Sequence, residues 1–258
     1  MPYNRLDYTS WPSEAAWTEA PYYRGNSSGY QYMNINTDAD LEKLKNWLAS
    51  ENLATIAVDG NKFSNLTNAD LWILDNYNNP VTNHAATIVG YDDNFNYNET
   101  GTIQYGAFKI ANSWGKGFTG EKQPDGFYWI SYEAMKQRVS LGGPCMFYFD
   151  RINYQPSLMA KFRIDHSKRS ECTVTVGLGT PSAQIQTKRL NDYALGGSVP
   201  FCSNNIVLDV TEFKKYMATS YNQPFFLKVY DGGTNTTGTI TYFAIENSVA
   251  SGTPVQTN

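Results

Sequence analysis

The spacing of apolar and polar positions predicts a helix and then a strand within the first sixty residues. Thr37, with Asp40 three positions later, forms a capping-box pattern in which Asp stands in the place of Glu. Leucines then recur at helical spacing, so we predict a helix over residues 37–50. The apolar run over residues 53–59 predicts a strand. Residues 1–36 are aromatic and interrupted by three prolines, which argues against any long element there. The leucines at helical spacing are Leu41, Leu44 and Leu48.

Three more strands are predicted downstream of a polar, asparagine-rich stretch. They cover residues 84–91, 103–112 and 126–131. The segments between them, residues 92–100 and 115–125, are polar and are predicted to be loops.

The second half of the chain has a different pattern, in which helical spacing nearly vanishes. Short alternating strands punctuated by turn residues are typical of an all-β sandwich. We therefore predict two domains, residues 1–152 and residues 153–258, the second ending in a frayed tail. The fold class predicted for the whole chain is α+β, mainly antiparallel β. The predicted strands of the second domain are residues 159–165, 172–178, 185–190, 206–210, 225–230 and 239–245.

The amino-acid composition argues against several classes of protein. Of 258 residues, 41% are hydrophobic and 15% aromatic, which is enough apolar bulk to form a core and argues against disorder. Lys and Arg number 20 against 24 Asp and Glu, so the chain lacks the basic surplus typical of a nucleic-acid binder. No apolar run approaches the roughly 20 residues that a membrane-spanning helix needs. We expect neither a nucleic-acid partner nor a membrane span.

The cysteine content and the amino-acid composition bear on the cellular location of the protein. Three cysteines cannot build a disulfide framework, since at most one pair could form. Few lysines and many Asn, Tyr, Thr and Ser residues favour an extracellular or cell-surface protein. The first residues do not resemble a signal peptide, so either the protein is cytosolic or its true start lies upstream, and the motifs below favour the second. Four N-x-[ST] sequons give weak further support, at Asn26, Asn65, Asn98 and Asn235.

One histidine and one asparagine carry the candidate chemistry. His84 begins one predicted strand and Asn112 ends the next, so antiparallel pairing would bring the two together. Asn112 Oδ1 could then accept from one ring nitrogen, which fixes the tautomer and aims the other nitrogen at a nucleophile. Trp114 could cover that hydrogen bond and exclude water. The alternative is a buried structural histidine beside a structural asparagine.

Three segments in this order, residues 83–91, 106–118 and 125–131, resemble the C-terminal part of papain-like cysteine peptidases. The resemblance covers about residues 1–150 and implies the β-barrel half of that fold, a peptide or protein substrate, and neither a cofactor nor a metal. It implies His84 as the general base and Asn112 as the residue that orients it. The other residues that it implies are Trp114, Ser113 and Asn83 in support of the site, and Ala85 and Ala86 near the substrate cleft.

The nucleophile of that family has no counterpart in the chain. It lies roughly 130–150 residues before the histidine, which from His84 falls before residue 1, and the family's oxyanion-hole glutamine has no matching position either. The first cysteine is Cys145. It enters a further strand, predicted over residues 145–150, and is expected to be a buried structural thiol. Two explanations for the absence of the nucleophile remain open. Either the chain is part of a longer secreted endopeptidase, whose missing N-terminal half is then a partner, or it is a natural pseudopeptidase. The intact His84, Asn112 and Trp114 favour the first.

Residues 158–246 resemble, more weakly, the P domain (Homo B domain) of proprotein convertases. The resemblance rests on residues 162–182 and 226–245 and implies a jelly-roll β-sandwich that stabilises the protein or recruits substrate. It departs from the family at Ser170-Glu171. In this region, His166 could ligate a metal with Asp165, although a histidine hydrogen-bonded at a strand end is the favoured interpretation.

A non-catalytic function is the alternative for this second domain. Aromatic side chains could stack on sugars and make it a binding module for glycans or protein partners, although at strand spacing such residues more often pack in a core. The aromatic residues concerned are Tyr154, Tyr193, Tyr221, Phe225 and Phe226.

Overall fold

The computed structural model describes residues 7, 9–77, 81–117, 122–142, 145–190, 197–217, 223–247 and 255–256. The α-helices are α1 (Glu14–Glu19), α2 (Asp38–Ala49) and α3 (Tyr132–Gly142). Strands of the first half are β1 (Gly25–Met33), β2 (Ala54–Val58), β3 (Leu71–Trp72), β4 (His84–Glu99), β5 (Thr102–Ala111), β6 (Phe127–Ser131) and β7 (Cys145–Asp150). Strands of the second half are β8 (Met159–Asp165), β9 (Cys172–Thr180), β10 (Ala183–Arg189), β11 (Ile206–Asp209), β12 (Phe225–Asp231), β13 (Thr239–Glu246) and β14 (Val255–Gln256). The predicted class, α+β with mainly antiparallel β, is confirmed.

The first structural unit, Gly25–Asp150, is built on one seven-stranded sheet. Its strand order is β1-β7-β2-β4-β5-β6-β3, and among the described strands only β3 and β6 pair in parallel. Helix α2 forms as predicted. The Thr37 hydroxyl accepts from the Asp40 N–H, and Asp40 accepts from the Thr37 N–H in return. The three leucines at helical spacing are buried in the core beside the sheet.

The predicted loop over residues 92–100 is wrong, because β4 continues through it to Glu99. The continuation pairs with β5 across register shifts, which mark bulges. Tyr97 and Glu99 are buried, and Phe95 packs beside Tyr97 in a small apolar cluster. The polar residues between them conceal this alternation of period two, which is why the segment resembles a loop.

Three further elements in this unit, β1, β3 and α3, were not predicted. Strand β1 lies in the segment expected to be irregular, and it pairs with β7. Helix α3 follows β6 directly, and the Ser131 hydroxyl accepts from the Ala134 N–H at its start. Among the described residues, no helix has both the length and the apolar character that crossing a membrane would need.

The second structural unit contains a three-stranded sheet and a four-stranded sheet. Their orders are β10-β9-β12 and β11-β8-β13-β14. Buried side chains from both sheets, such as Phe162 in β8 and Val176 in β9, belong to one core, so the unit is a β-sandwich. Apart from α1, the described helical segments of this unit are short 3₁₀ turns.

The described residues before Gly25, which the predicted division placed in the domain over residues 1–152, belong to the second unit. Trp11 and Trp17 pack against its core, and the Trp11 ring meets Phe201 edge-on at 5.6 Å. The Asn204 amide also donates to the Pro12 carbonyl at 3.3 Å. Two partly buried tryptophans thus pack on the core of a unit whose other residues lie more than 100 positions later, and the composition of residues 1–36 could not show these contacts.

Asp209 ties Arg24 to the same unit. One carboxylate oxygen accepts from Arg24 at 2.7 Å and from the Tyr154 hydroxyl at 2.6 Å, while the other accepts from the Thr211 N–H at 2.9 Å. Burial by itself would raise the pKa of Asp209. The hydrogen bonds from Tyr154 and Thr211, with the Arg24 charge, outweigh it, so the pKa lies below its usual value.

We expect Asp209→Asn to lower the unfolding free energy of the second unit by about 1–3 kcal/mol at pH 7. Because the folded pKa of Asp209 lies below the unfolded value of about 3.9, its contribution is present above that pH and lost as the pH falls further. The difference from wild type should therefore shrink below about pH 4. Amide hydrogen exchange in β8 measures the unfolding free energy of this unit in the variant and in wild type. The exposed Asp165→Asn is the matched control, expected within about 0.5 kcal/mol of wild type. A pH-independent difference would contradict the assignment.

Candidate active site

The structure brings His84 and Asn112 together. His84 begins β4 opposite Val58 of β2, and Asn112 directly follows β5, the strand that pairs with β4 on its other side. His84 Nε2 and Asn112 Oδ1 are 2.9 Å apart. The Asn112 N–H donates to the Gly126 carbonyl at 3.0 Å, which anchors the backbone there. The end of one strand and the start of its neighbour thus place imidazole and amide in contact.

A backbone donor settles which way the Asn112 amide faces. The Trp114 N–H points at Asn112 Oδ1 from 3.4 Å, and a backbone N–H can only donate. Oδ1 is therefore the acceptor at that end of the amide, and His84 Nε2 must be the protonated ring nitrogen. Nδ1 then carries the lone pair, which is the form a general base requires.

Aromatic rings enclose the histidine. The Trp114 ring lies 4.4 Å from the His84 ring at an angle of 52°. Phe63 meets both edge-on, with centroid distances of 5.6 Å to His84 and 5.1 Å to Trp114. Phe63 is 2% exposed and belongs to the core of the unit. It lies in the polar stretch before β4, where no periodicity marks it, so the sequence did not identify it.

Asn83 links the loop after β2 to the site. Its Oδ1 accepts from the Gly60 N–H at 2.8 Å, and its Nδ2 donates to the buried Asp59 carboxylate at 2.9 Å. A Cβ at Gly60 would lie 3.2 Å from both His84 Cβ and the Trp114 ring, so this backbone approaches the pair closely. Asn83 thus occupies a supporting position, and Asp59 is a further supporting residue that the sequence did not identify.

The two alanines placed near a substrate cleft lie in different environments. Ala85 is exposed, whereas Ala86 is 5% exposed and packs in the core. Ala86 therefore cannot offer its side chain to a substrate, because successive residues of β4 face opposite sides of the sheet. Ser113 is exposed beside Asn112.

Gln123 is another neighbour of the site that the sequence did not identify. Its Oε1 accepts from Asn112 Nδ2 at 2.7 Å, and the residue is 1% exposed. It lies in a segment predicted to be a loop, in which nothing distinguishes one polar residue from the next. Only the folded loop shows the contact.

None of the three cysteines is placed as a reactive nucleophile. All three are free, so Cys172 and Cys202 do not form a disulfide. Cys145 is fully buried in the core, as expected of a structural thiol. Burial, then the charges of Asp231 and Glu171, raise the pKa of Cys172 to about 11. Burial also raises the pKa of Cys202, and a raised pKa keeps a thiol protonated and unreactive.

His166 has the hydrogen bonds of a strand-end histidine. Its Nδ1 accepts from the Lys168 N–H at 3.0 Å, so Nε2 carries the proton and faces Asp231 Oδ2 at 3.2 Å. Cys172 Sγ lies within 4.8 Å of these groups. A metal on Nε2 would move the proton to Nδ1, against the Lys168 donor, and would need a thiolate that the raised pKa of Cys172 opposes. The Asp165 carboxylate takes no part in this cluster.

The aromatic residues suggested for sugar stacking do not form an exposed platform among the described residues. Phe226 is buried, and Phe225 packs against the core near Phe213. The Tyr154 hydroxyl donates to Asp209. Tyr193 and Tyr221 lie outside the described residues.

Comparisons with known proteins find a distant structural neighbour. No protein-family model and no curated protein sequence matches the chain. Among solved structures, the crystal structure of SERA5E from Plasmodium falciparum matches with a TM-score of 0.35 and 15% sequence identity. The match covers 50% of this chain and 50% of that one, so the chain spans about half the length of the structure it matches. The residues around His84 therefore carry the functional assignment.

Proposed function

We propose that the chain supplies the histidine half of a cysteine peptidase site in a longer, papain-like endopeptidase. The observation that carries the proposal is the bond from His84 Nε2–H to Asn112 Oδ1, which turns a basic Nδ1 away from Asn112. The Trp114 and Phe63 rings beside it support the proposal, because a site with little water strengthens that hydrogen bond.

In the proposed reaction, His84 keeps its Nε2 proton, while its Nδ1 takes up a second proton and releases it. His84 Nδ1 takes the thiol proton of a cysteine, which becomes the nucleophilic thiolate and attacks the scissile carbonyl. The imidazolium then gives that proton to the leaving amine. In the second half, His84 takes a proton from the water that attacks the thioester and returns it to the cysteine sulfur as the acid product leaves. Asn112 Oδ1 stabilises the imidazolium through the Nε2–H bond. Because no cysteine precedes Cys145 and the three present are unsuited, the nucleophile is assigned to the protein outside these 258 residues.

The remaining parts of the proposal concern setting and partners. The substrate is a peptide or protein, the protein works outside the cell or at its surface, and the β-sandwich stabilises the peptidase or recruits substrate. The composition and the sandwich core support this view.

We expect an epoxide-type cysteine-peptidase inhibitor to label one cysteine of the complete natural protein, at a position outside residues 1–258. Thiolates react with such epoxides, whereas buried thiols with a raised pKa do not. Peptide mass analysis locates the label. The 258-residue chain alone should remain unlabelled and should not hydrolyse peptides.

Labelling of Cys145, Cys172 or Cys202 would overturn this assignment, and so would peptide hydrolysis by the chain alone that is lost in Cys145→Ala. No labelling anywhere in the complete protein would instead favour the non-catalytic alternative, a pseudopeptidase, and would reject the proposal.

A further inference from the structure

Gln123 lies in the described part of the segment before β6 and is held there by three hydrogen bonds of its backbone. Gln123 donates its N–H to Asp70 Oδ1 at 2.9 Å, and its carbonyl accepts from the N–H groups of Gly117 and Gly126 at 3.1 and 3.0 Å. These three bonds hold the backbone of a residue whose side chain is almost fully buried and reaches Asn112.

The conformation of Gln123 is an unfavourable one. Its φ is +54°, in the left-handed region that residues with a Cβ rarely adopt. In addition, its buried Nε2 has no hydrogen-bond partner among the residues that the structure describes. Both features oppose folding, and strained or unsatisfied residues that persist in this way cluster at functional sites.

The unpaired Nε2 follows from the contact that Gln123 makes at its other end. Asn112 Nδ2 is a donor, so the glutamine must turn its carbonyl oxygen toward it. Turning the Gln123 amide over would satisfy neither group at that contact, because two N–H donors would then face each other. The orientation of one amide therefore sets the orientation of the other.

The orientation of the Asn112 amide in turn determines which ring nitrogen of His84 carries the proton. If the Asn112 amide turned over, its NH₂ group would face His84 Nε2, which would then have to be the unprotonated nitrogen. The proton would move to Nδ1, and the base would be lost from the position that the proposed reaction uses. We infer that Gln123 is a positioning residue, whose Oε1 acts with the Trp114 N–H to hold the Asn112 amide, so that His84 is kept in its Nε2–H tautomer.

The catalytic consequence of this inference rests on the function proposed above. The tautomer of His84 can be measured whether or not that function is correct. A spectroscopic test on the 258-residue chain therefore separates the two. The long-range ¹H–¹⁵N NMR spectrum of the imidazole distinguishes Nε2–H from Nδ1–H directly at a pH where His84 is neutral.

We expect wild type to show the Nε2–H tautomer, and Gln123→Met, which keeps the length of the side chain without its oxygen, to raise the Nδ1–H population about tenfold, the weight of one buried hydrogen bond. Gln123→Glu, whose carboxylate can only accept, should keep the wild-type tautomer. The exposed Gln184→Leu, in the other structural unit, is the matched control.

Two results would overturn the inference. One is an unchanged tautomer in Gln123→Met with native backbone amide signals for β4 and β5. The other is a switch to Nδ1–H in Gln123→Glu, and this second variant keeps the test decisive if the methionine variant does not fold. Neither result bears on inhibitor labelling of the complete protein, so failure of this inference and failure of the proposed function are distinguishable.

Discussion

His84→Gln in the complete protein should lower kcat/KM for peptide hydrolysis by about 10³-fold or more, because in the proposed reaction one residue both activates the nucleophile and protonates the leaving group. That loss corresponds to about 4 kcal/mol of transition-state stabilisation. Glutamine can still hydrogen-bond to Asn112, so the loss should come from proton transfer and not from disrupted packing. Steady-state kinetics with a fluorogenic peptide measures it, and KM should change far less than kcat.

The chain offers a matched control in its other histidine. His166→Gln also replaces an imidazole that is hydrogen-bonded to a polar side chain, but in the β-sandwich unit. This variant should retain kcat within about threefold of wild type, since His166 lies outside the proposed machinery. Equal losses in the two variants, or a His84→Gln enzyme close to wild type, would remove the catalytic assignment of His84.

The pair at the centre of the site could be predicted from the sequence because it depends on strand order alone. His84 and Asn112 stand at the start and end of strongly patterned neighbouring strands, so antiparallel pairing suffices to bring them together. Their surroundings come from loops. Phe63 and Gln123 reach the pair from polar segments without periodicity, and only the folded backbone determines which residue of a polar loop turns inward. Asp59, at the end of the predicted strand over residues 53–59, contacts Asn83.

The fold shows the same division between patterned and unpatterned segments. Helix α2 was predictable because its leucines and its capping box agree with each other. The continuation of β4 was not, since buried Tyr97 and Glu99 alternate with Asn and Asp residues that suggest a loop. The assignment of Trp11 and Trp17 to the sandwich depends on contacts distant in sequence, which local patterns cannot show.

Phe63 joins the candidate site to the core of its unit. Its ring stacks on Trp72 at 5.1 Å with an interplanar angle of 5°, and meets Tyr128 edge-on at 5.1 Å. On its other edges it contacts His84 and Trp114. Four aromatic rings therefore meet at the Phe63 side chain, which is nearly inaccessible to water.

Phe63→Ala should lower the unfolding free energy of the first unit by about 3–5 kcal/mol, the usual cost of removing a fully buried aromatic ring and leaving a cavity. Urea titration followed by the backbone amide signals of β4 and β5 measures this unit separately. The control is Tyr105→Ala on β5, whose ring is 62% exposed and whose loss should change stability by about 0.5 kcal/mol or less. Because Phe63 also supports the His84 and Trp114 rings, Phe63→Ala should shift the imidazole signals of His84 even at low urea, whereas Tyr105→Ala should leave them in place. A loss below about 1 kcal/mol, with unshifted His84 signals, would show that the ring cluster neither stabilises the unit nor holds the histidine.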